Sequence, residues 1–379
     1  MTGDQRSFPA VYMRGGTSRA LFFKSADLPA SRAARDAIFC AALGTPDPHG
    51  RQLDGMGGGI SSLSKIAIIG PPTRADADVD YTFAQVPIDS TVVQYQGNCG
   101  NISSAVGPFA VDEGLVHAAG DSATVRIHNT NTGKLIVSTF PLVNGLSAVD
   151  GNFVLPGVAG SAAPIRLSFL TPGGAVTGKL LPTGQRSEML DLDGHPGVQV
   201  SIVDAANPVV MLSAAAIGLT GGEPPATLDA NRELLAHCES IRRAAAVRIG
   251  IARDLQDARD RVRSLPQVVL LSRPDAPGCH LRVRVMSTGQ PHRATPLTGG
   301  MCVAAALHLQ GTVAQAIGVP PESGDVLVEH PSGVLRVGAT VEQRAEGPFV
   351  VETAVYRTAR RLMEGRVFVP ASKLNPASE

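Results

Sequence analysis

Two cysteines, one in each half of the chain, stand in the same local setting. Each lies in a Gly-x-Cys turn that runs straight into small residues, GNCGNISSAVG around Cys99 and TGGMCVAAA around Cys302. Such a turn predicts a helix whose first backbone N–H groups have no intrahelical acceptor, beside a sulfur whose ionisation the helix end favours. That combination can hold a carboxylate and move a proton. At the first turn the N–H groups of Gly100 and Asn101 would hold a carboxylate, with the amides of Asn98 and Asn101 bracketing the thiol. At the second, Thr298, Gly299 and Gly300 would hold another, with Cys302 facing the same ligand from the other side. Either cysteine alone reads equally well as an ordinary buried thiol; the repeated setting singles out the pair.

A third group lies upstream. DGMGGGISSLSK places Lys65 at the start of an apolar run, directly after a glycine-dense loop. A lysine partly withdrawn from water at the mouth of a cleft titrates low enough to act as a base. Gly57 and Gly58 would offer backbone donors to an anion and Ser62 and Ser64 their hydroxyls. Arg14 in MRGGTS ends a strand-like run, followed by Thr17 and Ser18, and suits bidentate capture of a carboxylate. His292 and Met301 complete the residues expected to shape substrate choice. Cys40 and Cys238 fall on the apolar sides of helical patterns and read as core. Asp204 and Asn207 in VDAANPVV fit an Asx turn as well as a ligand contact.

Other chemistries are excluded by pattern. No histidine pair at helical spacing is joined to a carboxylate, and no CxxC occurs, so no metal site is expected. Neither GxxxxGK[ST] nor a strand-following GxGxxG is present, so the glycine clusters are not nucleotide loops. The chain has 379 residues, 44% of them hydrophobic and 17% charged, enough for two globular domains. Lysine plus arginine and aspartate plus glutamate both number 33, which gives no basic excess for nucleic acid or an anionic membrane. Five cysteines argue against a disulfide framework, and the N-terminal MTGDQRSFPA has no apolar leader segment, so a cytoplasmic location is expected.

The elements that must position these groups follow from periodicity. Strands are predicted at 8–14 and 20–24, a helix at 31–40 ended by Gly44, then strands at 65–70, in DVDYTFAQV, in TVVQYQ, in SATVRIHN and in KLIVSTF. The second half repeats the plan: strands at 199–204 and 209–213, a long helix at 229–247, strands at 267–272 and 281–287, the Cys302 helix, and strands near 325–330, 334–338 and 349–355. This predicts an α+β protein of two similar halves, each a mostly antiparallel sheet or barrel around a central helix, with the site in the cleft between them. The domains are expected at 1–185, holding Lys65 and Cys99, and 186–379, holding Cys302, with the last strands free to return to the first.

MRGGTS, DGMGGGISSLSK, DVDYTFAQV, GNCGNISSAVGPFA and LTGGMCVAAA, in this order over residues 8–340, resemble the PrpF family. The resemblance implies the diaminopimelate epimerase-like fold and a cofactor-independent isomerase of unsaturated di- and tricarboxylates. Family activities include 2-methylaconitate cis-trans isomerase, methylitaconate Δ-isomerase and 4-oxalomesaconate tautomerase. It implies proton transfer by Lys65 and Cys99, with Cys302 either reacting or lining the cleft. GISSLSK and GNCGNISS place the chain nearer the aconitate-type members than the oxalomesaconate branch. The implied partner is a small polycarboxylate, with no nucleic acid or membrane, and pairing into a homodimer stays open. Two further readings remain, an accessory protein of an iron–sulfur hydratase and a two-thiol amino-acid racemase.

Overall fold

The computed structural model describes residues 3–95, 99–287, 289–322 and 324–374. The chain divides into two compact units, Met1–Leu167 with Tyr356–Glu379, and Ser168–Val355. The expected break after residue 185 falls inside the second unit, and the chain returns to the first unit at Tyr356.

The first unit opens with β1 (Gln5–Gly15) and β2 (Ser18–Lys24), a hairpin in which Gly15 pairs Ser18 across a two-residue loop. Next comes α1 (Arg32–Leu43); Ser31 caps its start, accepting from the Ala34 N–H, and Gly44 ends it in the left-handed region. Then follow β3 (Lys65–Gly70), β4 (Val79–Gln85), α2 (Gly100–Asp112), β5 (Ser122–Asn129) and β6 (Lys134–Val143). β1–β2, β3–β4 and β5–β6 pair antiparallel, while β2–β3 and β4–β5 pair parallel. A strand over Ala359–Pro370, absent from the sequence reading, runs antiparallel to β1 on its outer side.

Strand alternation gives the sheet two buried faces. Ala10, Tyr12, Leu21, Phe23, Ile66 and Ile68 form one cluster with α1. On the other face Phe22 meets Phe109 of α2 at 5.3 Å between ring centroids. α2 is buried along 102–111 and packs on β1, β2, β3, β5 and β6. Its small residues permit that: a Cβ on Gly107 would stand 2.6 Å from the Ser138 hydroxyl oxygen of β6. Residues 91–95, the described part of TVVQYQ, form no strand; Gln94 makes an isolated bridge to Gln85.

The second unit repeats the pairing plan. His195–Ala205 and Asn207–Ser213 form a hairpin. Gln267–Ser272 runs parallel to the latter and pairs antiparallel with Leu281–Ser287. Val326–His330 then runs parallel to Leu281–Ser287 and hairpins with Gly333–Arg344. Helices α3 (Pro225–Ala230), α4 (Arg232–Arg248) and α5 (Leu255–Asp260) fill the place of α1, and α6 (Leu297–Leu307) fills that of α2. The single helix expected at 229–247 is broken at Asn231, whose side chain accepts from the Leu234 N–H and caps α4. Cys238 sits in the α4 core and Cys40 in the α1 cluster, as expected.

Candidate active site

Lys65 is the first residue of β3 and is 8% exposed. Its direction follows from register. Phe22, which touches α2, pairs with Ala67 across β2–β3, so Ala67 and Lys65 two positions earlier lie on the α2 face. On the other side Lys65 stands opposite Gln85 of β4, and its Nζ donates to Gln85 Oε1. The Gln85 amide is held in that sense because its Nε2 donates to the carbonyls of Ser61 at 3.1 Å and Ser64 at 2.9 Å. The ammonium also lies 5.2 Å from the centroid of the Phe83 ring. Burial pulls the Lys65 ammonium below its ordinary value of 10.5, and the nearby Cys99 sulfur, when ionised, pulls it back up. A buried lysine faced by a neutral amide and one thiol is built to give up its proton more easily than a surface lysine.

Cys99 is the N-cap residue of α2, partly exposed, with no capping bond from its side chain. Its carbonyl accepts from the Ser103 N–H at 2.9 Å and the Ser103 hydroxyl at 3.0 Å. As the N-cap residue Cys99 directly precedes Gly100, Asn101 and Ile102, whose N–H groups find no acceptor within the helix. Glycines bring the β1–β2 turn onto this helix start. A Cβ on Gly16, whose φ is +52°, would lie 2.3 Å from Asn101 Oδ1, and one on Gly15 would lie 2.6 Å from the Asn101 carbonyl oxygen. Asn101 Nδ2 donates to Thr17 Oγ1 at 3.1 Å, while its buried Oδ1 accepts nothing among the described residues. Cys99, Gly100, Asn101 and Thr17 thus meet at the start of α2, and Lys65 lies on the sheet face that packs on the same helix; Asn98 lies outside the described residues.

Other expected residues hold the framework. Ser64 is fully buried and its hydroxyl accepts from Gln52 Nε2 at 2.8 Å, while the Gly59 N–H donates to Gln52 Oε1 at 3.0 Å. The Gly57 N–H is taken by the Leu43 carbonyl, and Gly58 packs under Leu63, so this loop is a brace for β3 more than an anion cradle. Ser62 lies in a single 3-10 turn over Ser61–Leu63 and is partly exposed; Ser18 is buried in β2. Arg14 is half-buried, and its Nη1 donates to the carbonyls of Gly16 and Thr358 and to Thr358 Oγ1, each at 2.9 Å.

The second cysteine turn is corrected by the structure. α6 begins at Leu297 with Pro296 at its N-cap, so Cys302 lies in the second turn and not at the helix start. It is fully buried, its thiol donates to the Val203 carbonyl at 3.2 Å, and burial pushes its pKa far up. Met301 is equally buried, its sulfur accepting from the Thr353 hydroxyl at 3.2 Å. Gly299 and Gly300 are helical residues that leave room for Gln267 and Leu335, and the Gly300 N–H is bonded to the Pro296 carbonyl. The Gly300 N–H is therefore taken, while that of Gly299, in the first turn of α6, has no acceptor within the helix. Thr298 Oγ1 accepts from Asn207 Nδ2 at 2.9 Å, and Asp204 Oδ2 accepts from the N–H groups of Val176 and Thr177. His292 is exposed, its Nδ1 accepting from the Ala294 N–H.

Gln85, Gln52 and Asn131 were not singled out from sequence. Asn131 Nδ2 donates to the carbonyls of Phe83 at 2.8 Å and Tyr95 at 2.7 Å, tying β4 to the segment that leads toward Cys99. Among the described residues no three His, Cys, Asp or Glu side chains gather as they would round a metal, and no helix is long and apolar enough to cross a membrane.

Residues 5–370 match the family described as PrpF protein. The 3-methylitaconate isomerase of Eubacterium barkeri is 40% identical, with 98% of this chain and 99% of that protein covered. The (4E)-oxalomesaconate Delta-isomerase of Novosphingobium sp. (strain KA1) is 39% identical over 96% of this chain and 98% of its own length. The 2-methyl-aconitate isomerase of Cupriavidus necator is 37% identical over 97% and 98%. A crystal structure of methylitaconate-delta-isomerase superposes with a TM-score of 0.91 at 38% identity, covering 100% of this chain and 99% of that one. A hydroxyproline epimerase from Agrobacterium vitis, 14% identical with a TM-score of 0.53 over 96% of this chain and 93% of its own, shares the α+β epimerase-like fold.

Proposed function

The chain belongs to the PrpF family and is an isomerase, and we propose that it moves a proton across the allylic system of an unsaturated di- or tricarboxylate. Identities of 40%, 39% and 37% to the three named isomerases lie too close together to rank their substrates. The reading is therefore the chemistry they share, with an aconitate or 2-methylaconitate type of substrate as its first form. The observation that carries it is a buried lysine at the start of β3, on the face that packs on α2, together with a cysteine at the N-cap position of that helix.

In the forward direction neutral Lys65 takes a proton from the carbon next to a carboxylate. The C–H bond breaks, an N–H bond forms, and the electron pair spreads into a dienolate. The open N–H groups at the start of α2 hold the charge that develops on the carboxylate, a role worth about 3 kcal/mol per donor in other enzymes. The Cys99 thiol then gives its proton to the far carbon of the allyl system, and the double bond shifts. Rotation before that last step, or migration and return, changes cis to trans. One turnover leaves an ammonium beside a thiolate, and their proximity lets one proton reset both. The reverse reaction starts from that ion pair with the roles exchanged.

A cytoplasmic location and action on a small molecule without nucleic acid or membrane fit this reading. The test is proton NMR of the isolated protein with 2-methylaconitate, cis-aconitate, 3-methylitaconate and oxalomesaconate in deuterated water, with no partner protein and no iron. Interconversion with deuterium uptake at an allylic carbon is expected. No conversion and no exchange with any of the four would overturn the reading and favour the accessory role instead.

A further inference from the structure

β4 sends three side chains toward α2. Tyr81, Phe83 and Gln85, each two residues apart, stand opposite Ile69, Ala67 and Lys65 of β3, on the face that the contact of Phe22 with Phe109 marks as the α2 side. Gln85 takes the Lys65 ammonium, and the Phe83 ring lies against it. Tyr81, the third, is fully buried, and its hydroxyl has no hydrogen-bond partner among the described residues. The side chains this hydroxyl faces are those of Ser103 and Cys99, at the start of α2. Ser103 gives its own hydroxyl proton to the Cys99 carbonyl at 3.0 Å. A phenol left unpaired in the core is a cost, and phenylalanine would fill the same space without it. Packing therefore accounts for the ring and not for the oxygen.

We propose that Tyr81 is a positioning residue for the reaction, its hydroxyl donating to the Cys99 sulfur once that sulfur has given up its proton; the assignment rests on the proton-transfer reading above. No proton leaves Tyr81. The phenol keeps its O–H bond throughout and supplies a hydrogen bond that strengthens as charge develops on sulfur. Burial raises the phenol well above its ordinary value of 10.0, and the Cys99 sulfur, when ionised, raises it further, so near neutral pH the oxygen keeps its proton. Because the ring is enclosed, the donor is in place before the charge appears and needs no rearrangement to meet it. Among the described residues, the titratable groups set toward Cys99 are Lys65 from β3 and Tyr81 from β4. The β1–β2 turn brings Gly15, Gly16 and Thr17 to this helix start, and residues 100–104 follow within it; none of these titrates. Gln85 at one end of the β4 row thus serves the proposed base, and Tyr81 at the other serves the thiol.

The test is Tyr81→Phe, which removes the oxygen and keeps the ring. Wild type and variant are alkylated with iodoacetamide across a series of pH values, and modification of the Cys99 peptide is followed by mass spectrometry, so that Cys40, Cys238, Cys279 and Cys302 do not enter the readout. The pH midpoint of the alkylation rate is expected to rise by about one to two units in the variant, the size of one lost hydrogen bond to a charged group. In turnover assays kcat is expected to fall about 10- to 100-fold, with KM changed less than about twofold. The melting temperature should hold or rise, because the oxygen has no partner to lose. A midpoint that stays in place would overturn the assignment and leave the isomerase reading intact. A midpoint that moves while kcat keeps its wild-type value would overturn the part of Tyr81 in the reaction. A lower melting temperature with alkylation changed equally at every pH would mark a structural role and would also overturn it. Should wild type isomerise none of the substrates, the alkylation midpoint still decides whether the phenol acts on the sulfur.

Discussion

The base proposed for the reaction, Lys65, has a neutral neighbour. Gln85 satisfies the amine through Oε1 without the charge that would stabilise its protonated form, and the Ser61 and Ser64 carbonyls prevent the amide from turning over. Gln85→Glu would put a carboxylate against the ammonium and raise its pKa. With the neutral amine as the proposed base, the rising limb of kcat/KM is expected to move to higher pH, with activity at pH 7 falling about tenfold or more. A limb that stays in place would show that Lys65 is not the titrating base. Cys302 supplies the contrast: Cys302→Ala is expected to keep kcat within about twofold while costing about 1–3 kcal/mol of stability, read by turnover and urea unfolding. Residue type and local motif singled out Lys65 and Cys99, and the structure shows Lys65 buried at the start of β3 and Cys99 at the N-cap of α2. Gln85 could not be read this way, since only the β3–β4 register sets it against Lys65. Cys302 misled because its glycines lie inside α6, where they admit Gln267 and Leu335, and do not form a turn ahead of it.

The start of α2 is held in place by the hairpin beneath it. Gly15 and Gly16 are glycines because Asn101 and Ile102 occupy the space of any side chain there. Gly16→Ala adds both a clash and a strained positive φ, and is expected to destabilise the protein by about 1–3 kcal/mol and to lower kcat by displacing Asn101 and Cys99. A melting curve and turnover of the same sample check both; full activity at an unchanged melting temperature would show that the turn does not position the helix. Period-two alternation revealed β4 and β5, whereas β3 reads as a continuous apolar run because both its faces are buried. The strand Ala359–Pro370 escaped because most of its middle is exposed and carries Arg360, Arg361, Glu364 and Arg366. TVVQYQ alternates like a strand, but among its described residues only Gln94 finds a partner. The helix at 229–247 read as continuous because Asn231 is a tolerable helix residue on propensity and reveals itself as a cap only through its bond to Leu234.

Across the chain the same order of antiparallel and parallel pairings occurs twice, each time with one buried helix in the matching place. The duplication was legible because strand spacing and the two small-residue helices repeat. The chemistry is not duplicated: α2 is capped by Cys99, whereas α6 is capped by Pro296, and the sulfur of Cys302 is turned into the core. A racemase that works with two opposed thiols at two helix starts is therefore not what this chain encodes. The proposed mechanism rests on one lysine and one thiol in the first unit, acting on one substrate as a coupled pair. A double-mutant cycle measures that coupling directly, through the rate of solvent deuterium entering the preferred substrate with wild type, Lys65→Ala, Cys99→Ala and the double variant. Groups that act as a unit are grossly non-additive, so each single variant is expected to lose about 10³-fold or more and the double variant no more than either. Losses that multiply in the double variant, or a Cys99→Ala protein that exchanges at the wild-type rate, would contradict it.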